Sequence, residues 1–305
     1  MSAQQAVPDE DAQRVATLER IVRKLHADNR VAVGFLWGIS AITTALFVVI
    51  ILRLLIQGFP YLINPAFYGI SENFSVGQQI FNTFYILILS EIILVPISLA
   101  AAIYLIEYSR QGPLVTFIHF AAETLAGVPS IVLGLFGYLI FATIFGLHLS
   151  RLSGALTLLC LNFPIALRLF EDALASVPRE MREGGLSLGS TRWHMIRTVV
   201  LPSALPGIVT GVILTAGKIV GEAAALIFTM GSSNPANVFT LDPMISSDNL
   251  TINIYNVQST GNGLTKAVAD AVSSGSAALL IVILLVINIG ARVIARAIER
   301  RVTAA

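Results

Sequence analysis

Three ionisable side chains stand out among those inside stretches apolar enough to cross a bilayer: Arg168, Lys218 and Glu222. A charge in hydrocarbon costs about 3 kcal/mol or more unless it faces protein or water, so such residues mark either a path for a polar solute or a structural ion pair. Arg168 lies in PIALRLFED, and its guanidinium is a planar fork that can bind two oxygens of an oxyanion at once. Pairing with Asp172, four residues on, and snorkelling to the aqueous boundary are the competing structural readings. Lys218 and Glu222 are also four apart, which on a continuous helix places both on one face about halfway along their segment. Lys218 then binds an anion as a point donor, or is neutralised by Glu222 in an intrahelical salt bridge; the two roles are compatible. Gly207, Gly211 and Gly221 fall near that face, where they either admit a neighbouring helix or leave a polar path open. Glu91 and Glu123 are further acids in or beside apolar stretches, open as counter-ions. The chemistry on offer is the binding and release of an anion. No GxxxxGK[ST] loop, HExxH pair or hydrolase constellation accompanies it.

A second group of residues is polar and compact: PREMREGGLSLGSTRWHMIRTVVLP, from Pro178 to Pro202, set between two apolar segments. Ser176 as an N-cap and Pro178 in the first turn predict a short helix carrying Arg179, Glu180, Arg182 and Glu183. Gly189 ends it. Ser190 or Thr191 caps a second helix, carrying Trp193, Ile196 and Val200 towards a stop at Pro202. The expected unit is a helix, a tight turn and another helix. An ordinary basic loop between membrane helices is the bland alternative.

The elements that must hold these residues are helices in a membrane. Of 305 residues, 55% are hydrophobic and 12% charged, a balance foreign to soluble domains. Six apolar stretches, near 31–57, 80–106, 115–147, 152–175, 203–229 and 274–298, are each long enough to cross about 30 Å of hydrocarbon. The third is overlong and Pro129 divides it, which predicts an interfacial or tilted helix over 114–128 before the spanning part. Cys160, the single cysteine, lies in an apolar run and reads as a packing residue. Residues 1–30 are polar, lack the apolar core of a cleavable signal, and carry a helical pattern (Val15, Leu18, Ile21, Val22, Leu25) with a basic face. That segment either lies on a membrane or partner surface or leads as a solvated helix into the first span.

Basic residues set the expected orientation. The N-terminal segment, Arg110, the 179–197 stretch and the tail with Arg292, Arg296, Arg300 and Arg301 fall on one side, which the positive-inside rule makes cytoplasmic, with both termini inside. Residues 58–79, a turn with Arg151, and a 230–270 loop rich in Asn, Ser, Thr and Gly fall on the other. That loop suits either a docking surface for an external protein or a plain connection. The division is thus a cytoplasmic segment 1–30 and a permease domain 31–300, with a cytoplasmic loop 176–202 and an external loop 230–270.

The 178–202 hairpin resembles the cytoplasmic coupling loop of ABC importer permeases, whose signature is Glu-Ala-Ala, three residues, Gly, nine residues, then Ile-x-Leu-Pro. Glu183, Gly184, Gly185, Gly189, Val199, Leu201 and Pro202 match it with the spacing intact, both alanines being glycine here. Each glycine weakens a helix by about 1 kcal/mol relative to alanine. AAIYLIEY (101–108), LAGVPSIVLGLFGY (125–138), GEAAALIFT (221–229) and TINIY (251–255) together resemble the PstA-type permease of phosphate importers over most of residues 80–300. The resemblance implies an all-α integral membrane protein with six transmembrane helices in the type I ABC importer permease fold. It further implies a heterodimer with a PstC-like permease, a PstB-like ATPase dimer docked on Arg182, Glu183, Gly184, Gly185, Leu186, Gly189, Leu201 and Pro202, and a PstS-like phosphate-binding protein outside. The chain itself needs no cofactor; ATP and Mg belong to the ATPase. Membrane lipid surrounds it, and no nucleic acid is implied. The family usually has arginine where this chain has Lys218, which keeps the charge and loses the fork. A permease for another oxyanion such as sulfate or molybdate, an ATP-independent channel or carrier, and a membrane scaffold in phosphate signalling are the alternative functions.

Overall fold

A computed structural model describes residues 9–70, 74–110, 112–187, 189–233, 239–260 and 263–303; within them the side chains of 9–17, 19, 20, 27, 260, 291 and 294–303 lie outside the description. Val15, Arg296, Arg300 and Arg301 therefore fall beyond what can be said of side chains. All described regular structure is helical. Helix α1 (Asp9–Leu62) is followed by a 3₁₀ turn over Pro65–Tyr68, then by α2 (Gly77–Ile103), α3 (Pro113–Ala126), α4 (Ser130–Gly137) and α5 (Arg151–Ala175). The chain continues through α6 (Arg179–Ser187), α7 (Arg192–Met195), α8 (Leu201–Gly221), α9 (Ala224–Thr229), α10 (Leu250–Thr260) and α11 (Lys266–Thr303). π turns prolong α2 to Tyr108, α4 to Ile144 and α7 to Val200.

The chain divides between Arg53 and Leu54 into two compact units. The first is the long α1 up to Arg53, whose apolar side chains Phe35, Trp37, Ile42 and Leu46 are exposed, as a membrane-facing helix requires. The second unit holds the rest. Its centre is α5, packed against α2 and α8. Ile86, Leu94, Leu158, Leu167, Phe170, Ile219 and Leu226 are fully buried there. A second cluster joins Phe67, Val76, Val220, Leu250, Val257 and Val272.

Among the described residues five helices are long and apolar enough to span a membrane, and a sixth span arises if the pair α3 and Ser130–Ile144 is counted as one, bent by 101°. The bend falls at Pro129, as its position in the overlong third stretch predicts. Pro129 caps α4 in an extended conformation, and the missing proline N–H is harmless at a helix start. Beyond it Gly134 packs so close to Ala225 of α9 that a Cβ there would come within 2.8 Å of the Ala225 backbone.

Two local expectations fail. Pro202 does not stop the second helix of the hairpin, because α7 runs through the π turn into α8 as one span from Arg192 to Gly221. The Leu201 N–H already reaches back five residues to Ile196 O, so the ladder has widened where the proline ring enters the first turn of α8. Ser176 is the C-cap of α5 rather than an N-cap.

Candidate functional site

The stretch 203–229 is not one helix. It breaks at Glu222, whose backbone is extended (φ −78°, ψ 125°), and resumes at α9. Lys218 and Glu222 therefore do not share a helical face as their spacing suggested. The Glu222 Oε1 accepts from the Ala225 N–H at 3.2 Å, satisfying the first turn of α9, and its carbonyl accepts from the Thr251 hydroxyl at 2.9 Å. Among the described residues Lys218 has no ion-pair partner within 4.0 Å, and it lies exposed on the face of α8 that also carries Leu214 and Gly221. Four apart in sequence was a sound rule applied across a helix end.

Of the three glycines, Gly207 and Gly211 are explained by packing: a Cβ would sit 2.7 Å from Ala173 Cβ and 2.9 Å from the Phe170 ring of α5. Gly221 has open space around it. Glu91 of α2 faces α8 and accepts from the Thr215 hydroxyl at 2.8 Å, while its second oxygen is buried without a partner. Thr215 stands three residues before Lys218, on the buried side of the same helix.

Arg168 pairs with Glu123 of α3 at 3.9 Å and not with Asp172; both side chains are largely exposed, so the contact is loose. They line a cavity of 620 Å³ between α3 and α5, together with His119, Glu171 and Asp172. His119 Nδ1 lies 3.7 Å from a Glu171 oxygen. Arg168 thus stands at the mouth of a site whose other charges are mostly acidic.

The hairpin forms as a helix, a turn and a helix. Gly189 turns it at φ +78°, a conformation that favours glycine, and the Thr191 hydroxyl caps α7 by accepting from the His194 N–H. Arg182 fastens it to the bundle: its Nε donates to Glu107 Oε1 at 3.0 Å and its Nη2 to Leu174 O at 2.7 Å, with Nη1 on Val177 O. Glu107, in the π turn after α2, is almost entirely enclosed, so this pair is shielded from water. Glu183, Gly184 and Leu186 on α6 are left exposed, as is Trp193 on α7. Gly185 lies against Met195, 3.0 Å from where a Cβ would be, whereas Gly184 has nothing within 4 Å.

The residue that sequence reasoning undervalued is Arg151. It stands at the opposite end of α5 from the hairpin and is fully buried. Its Nη2 donates to Asn82 Oδ1 at 2.6 Å and its Nε to Ser247 Oγ at 3.1 Å, while Nη1 serves Thr240 O and Asp242 O. The guanidinium also lies 4.5 Å from the Tyr85 ring centre. The signal was present, since a basic residue opens an apolar segment on the side otherwise poor in Lys and Arg. Nearby Asp248 is held by Ser233, Asn253 and Gln79; burial pushes its carboxyl above the ordinary range, and those hydrogen bonds pull it back.

A helical bundle with a polar hairpin at one end of α5, broken spans and unpaired intramembrane charge defines a class: a membrane permease subunit. The chain belongs to the family described as binding-protein-dependent transport system inner membrane component, matching it over residues 92–304. It is 34% identical over 290 residues to the probable ABC transporter permease protein YqgI of Bacillus subtilis, covering 90% of this chain and 98% of that one. It is 33% identical over 210 residues to the phosphate transport system permease protein PstA 1 of Mycobacterium tuberculosis, covering 69% and 67%. The fold is similar to that of a bacterial alginate ABC transporter, solved in complex with an alginate pentasaccharide-bound periplasmic protein, at a TM-score of 0.63 and 16% identity over 88% of this chain and 95% of that one. The protein is thus a permease subunit of an ABC importer, working in the membrane with a binding protein and an ATPase, and it is not itself an enzyme.

Proposed function

We propose that this chain is one of two permease subunits of an ATP-driven importer of inorganic phosphate. Lys218 carries the reading. A lysine exposed in the last turn of a spanning helix, with no acid within ion-pairing distance among the described residues, is a charge open to an anion from outside the chain. The PstA relatives supply the anion's identity. Phosphate delivered by a PstS-like protein enters between this subunit and a PstC-like one, is steadied by Lys218, and passes Arg168, where it displaces Glu123. Glu222 acts by ending α8 in the same turn as Lys218, which holds the path open; it stands near Lys218 without closing a salt bridge. Passage requires release, so a few donors suffice and affinity resides mainly in the external protein.

The exposed ridge of the hairpin, Glu183, Gly184 and Leu186, receives the PstB-like ATPase dimer, which binds ATP and Mg. Closure of that dimer moves the hairpin, and α7, continuous with α8, carries the displacement straight to Lys218. Both termini lie in the cytoplasm. The test is substrate choice: vesicles containing the assembled transporter are expected to accumulate phosphate in an ATP-dependent way and not sulfate or molybdate. Accumulation of either of the latter in preference to phosphate would overturn the assignment.

A further inference from the structure

The segment Phe239–Ser247, expected to form part of an aqueous loop, is arranged for a different surrounding. Its carbonyl groups turn inward onto the bundle. Those of Thr240 and Asp242 accept from Arg151 Nη1, that of Leu241 from the Tyr85 hydroxyl at 2.8 Å, that of Pro243 from the Leu152 N–H at 2.8 Å, and that of Ile245 from the Arg151 N–H at 3.1 Å. Of its amides, Asp242 N–H bonds the Thr240 hydroxyl at 3.3 Å and Met244 N–H bonds the Asp242 carboxylate at 2.8 Å; Pro243 has none to satisfy. A loop in water has no need of this, because water serves its polar groups. Irregular backbone beside lipid needs its polar groups served by protein, as the carbonyls of residues 240–243 and 245 are.

The outward side is the converse. Phe239, Leu241 and Met244 are 51%, 72% and 43% exposed; Asp242 among them is exposed as well, its carboxylate turned onto the Met244 N–H, which sets the segment at the boundary rather than deeper. They continue a lipid-type stripe on α2, where Phe84, Ile88 and Ile92 recur every fourth residue and are all exposed. The Phe239 ring packs edge-on against Phe81 with centroids 5.4 Å apart. Depth agrees: the span runs from Gly77 to Tyr108, about 48 Å of helix against about 30 Å of hydrocarbon, so a centred helix enters the hydrocarbon roughly 9 Å in. Phe81 and Tyr85, which touch the segment, stand on either side of that level, where aromatic side chains collect.

From this geometry we infer that residues 239–244 form a lipid-immersed strap at the membrane boundary, their apolar side chains in the acyl region, with the buried Arg151 as the residue that fastens the strap to the bundle. The partner is the bilayer itself, at the end of the bundle opposite the hairpin. The inference stands whichever anion is transported.

The test uses the assembled transporter in liposomes, with Cys160 replaced by alanine and a nitroxide placed at Leu241→Cys or, in a second variant, Met244→Cys. Collision with oxygen and with a water-soluble nickel chelate is compared with that of a label at Ile88→Cys. The expected result at both sites is high oxygen and low nickel accessibility, matching the Ile88 label. High nickel accessibility would show a water-facing loop, and low accessibility to both would show a protein partner; either overturns the inference. Adding Arg151→Met is expected to raise nickel accessibility at the Leu241 label by severalfold. An unchanged value would remove Arg151 from the fastening role.

Discussion

At Thr215 a single hydroxyl links two helices. It serves Glu91 Oε1, and the other Glu91 oxygen is already buried without a partner. Thr215→Val preserves shape and removes the donor, so the carboxyl loses its one hydrogen bond. The expected loss is about 1–3 kcal/mol of stability, seen as a lower midpoint of thermal unfolding in detergent. Glu91→Gln in the same background is expected to recover part of it. At Arg182 the expectation is larger, since truncation leaves Glu107 enclosed and unpaired: Arg182→Ala should cost about 3–5 kcal/mol and abolish transport. Arg182→Lys restores the charge without the fork, and so recovers stability only in part.

Elements differ in how far the sequence disclosed them. The hairpin's centre was legible, because Gly189 and the Thr191 cap act locally and their effect does not depend on what packs around them; its outer bounds at Ser176 and Pro202 were not, since both are absorbed into the neighbouring helices. The bend at Pro129 was legible for the same reason. The break at Glu222 was not: no proline or exposed turn residue marks it, and the glycine at 221 reads equally as a packing residue. What holds the break is tertiary, the Thr251 hydroxyl on the Glu222 carbonyl and the Glu222 carboxylate on α9. Arg182's role was hidden too, since Glu107 lies 75 residues away in sequence. The two glycines of the hairpin provide a test at this scale. Gly184→Ala meets nothing within 4 Å in this chain and should raise the stability of α6 by about 0.5–1 kcal/mol. Gly185→Ala meets Met195 and should gain less or lose, as judged by the same thermal midpoints.

For the whole molecule, function rests on continuity between its ends. The helix from Arg192 to Gly221 joins the hairpin to the level of Lys218 as one span, interrupted in its regular ladder by the π turn over Ile196–Val200 and carrying Pro206 within α8. Shortening that turn by deleting Val199 would rotate α8 by about 100° relative to α7 and misdirect Lys218. The expected outcome is a transporter that still hydrolyses ATP and no longer moves phosphate. Polar residues buried where α2, α5 and α10 meet, such as Arg151 and Asn249, were read as turn or loop material from composition, because nothing in a single sequence distinguishes a polar residue in water from one in a satisfied network.

The central claim is that a cation without a salt bridge, in the last turn of α8, receives the anion, and phosphate uptake by the assembled complex in vesicles tests it most directly, with ATP hydrolysis measured alongside. Lys218→Ala should assemble and hydrolyse ATP yet lose uptake by at least tenfold, Arg168→Ala should do likewise, and Lys218→Arg should retain it. Normal uptake in both alanine variants would contradict the account and send the phosphate path elsewhere.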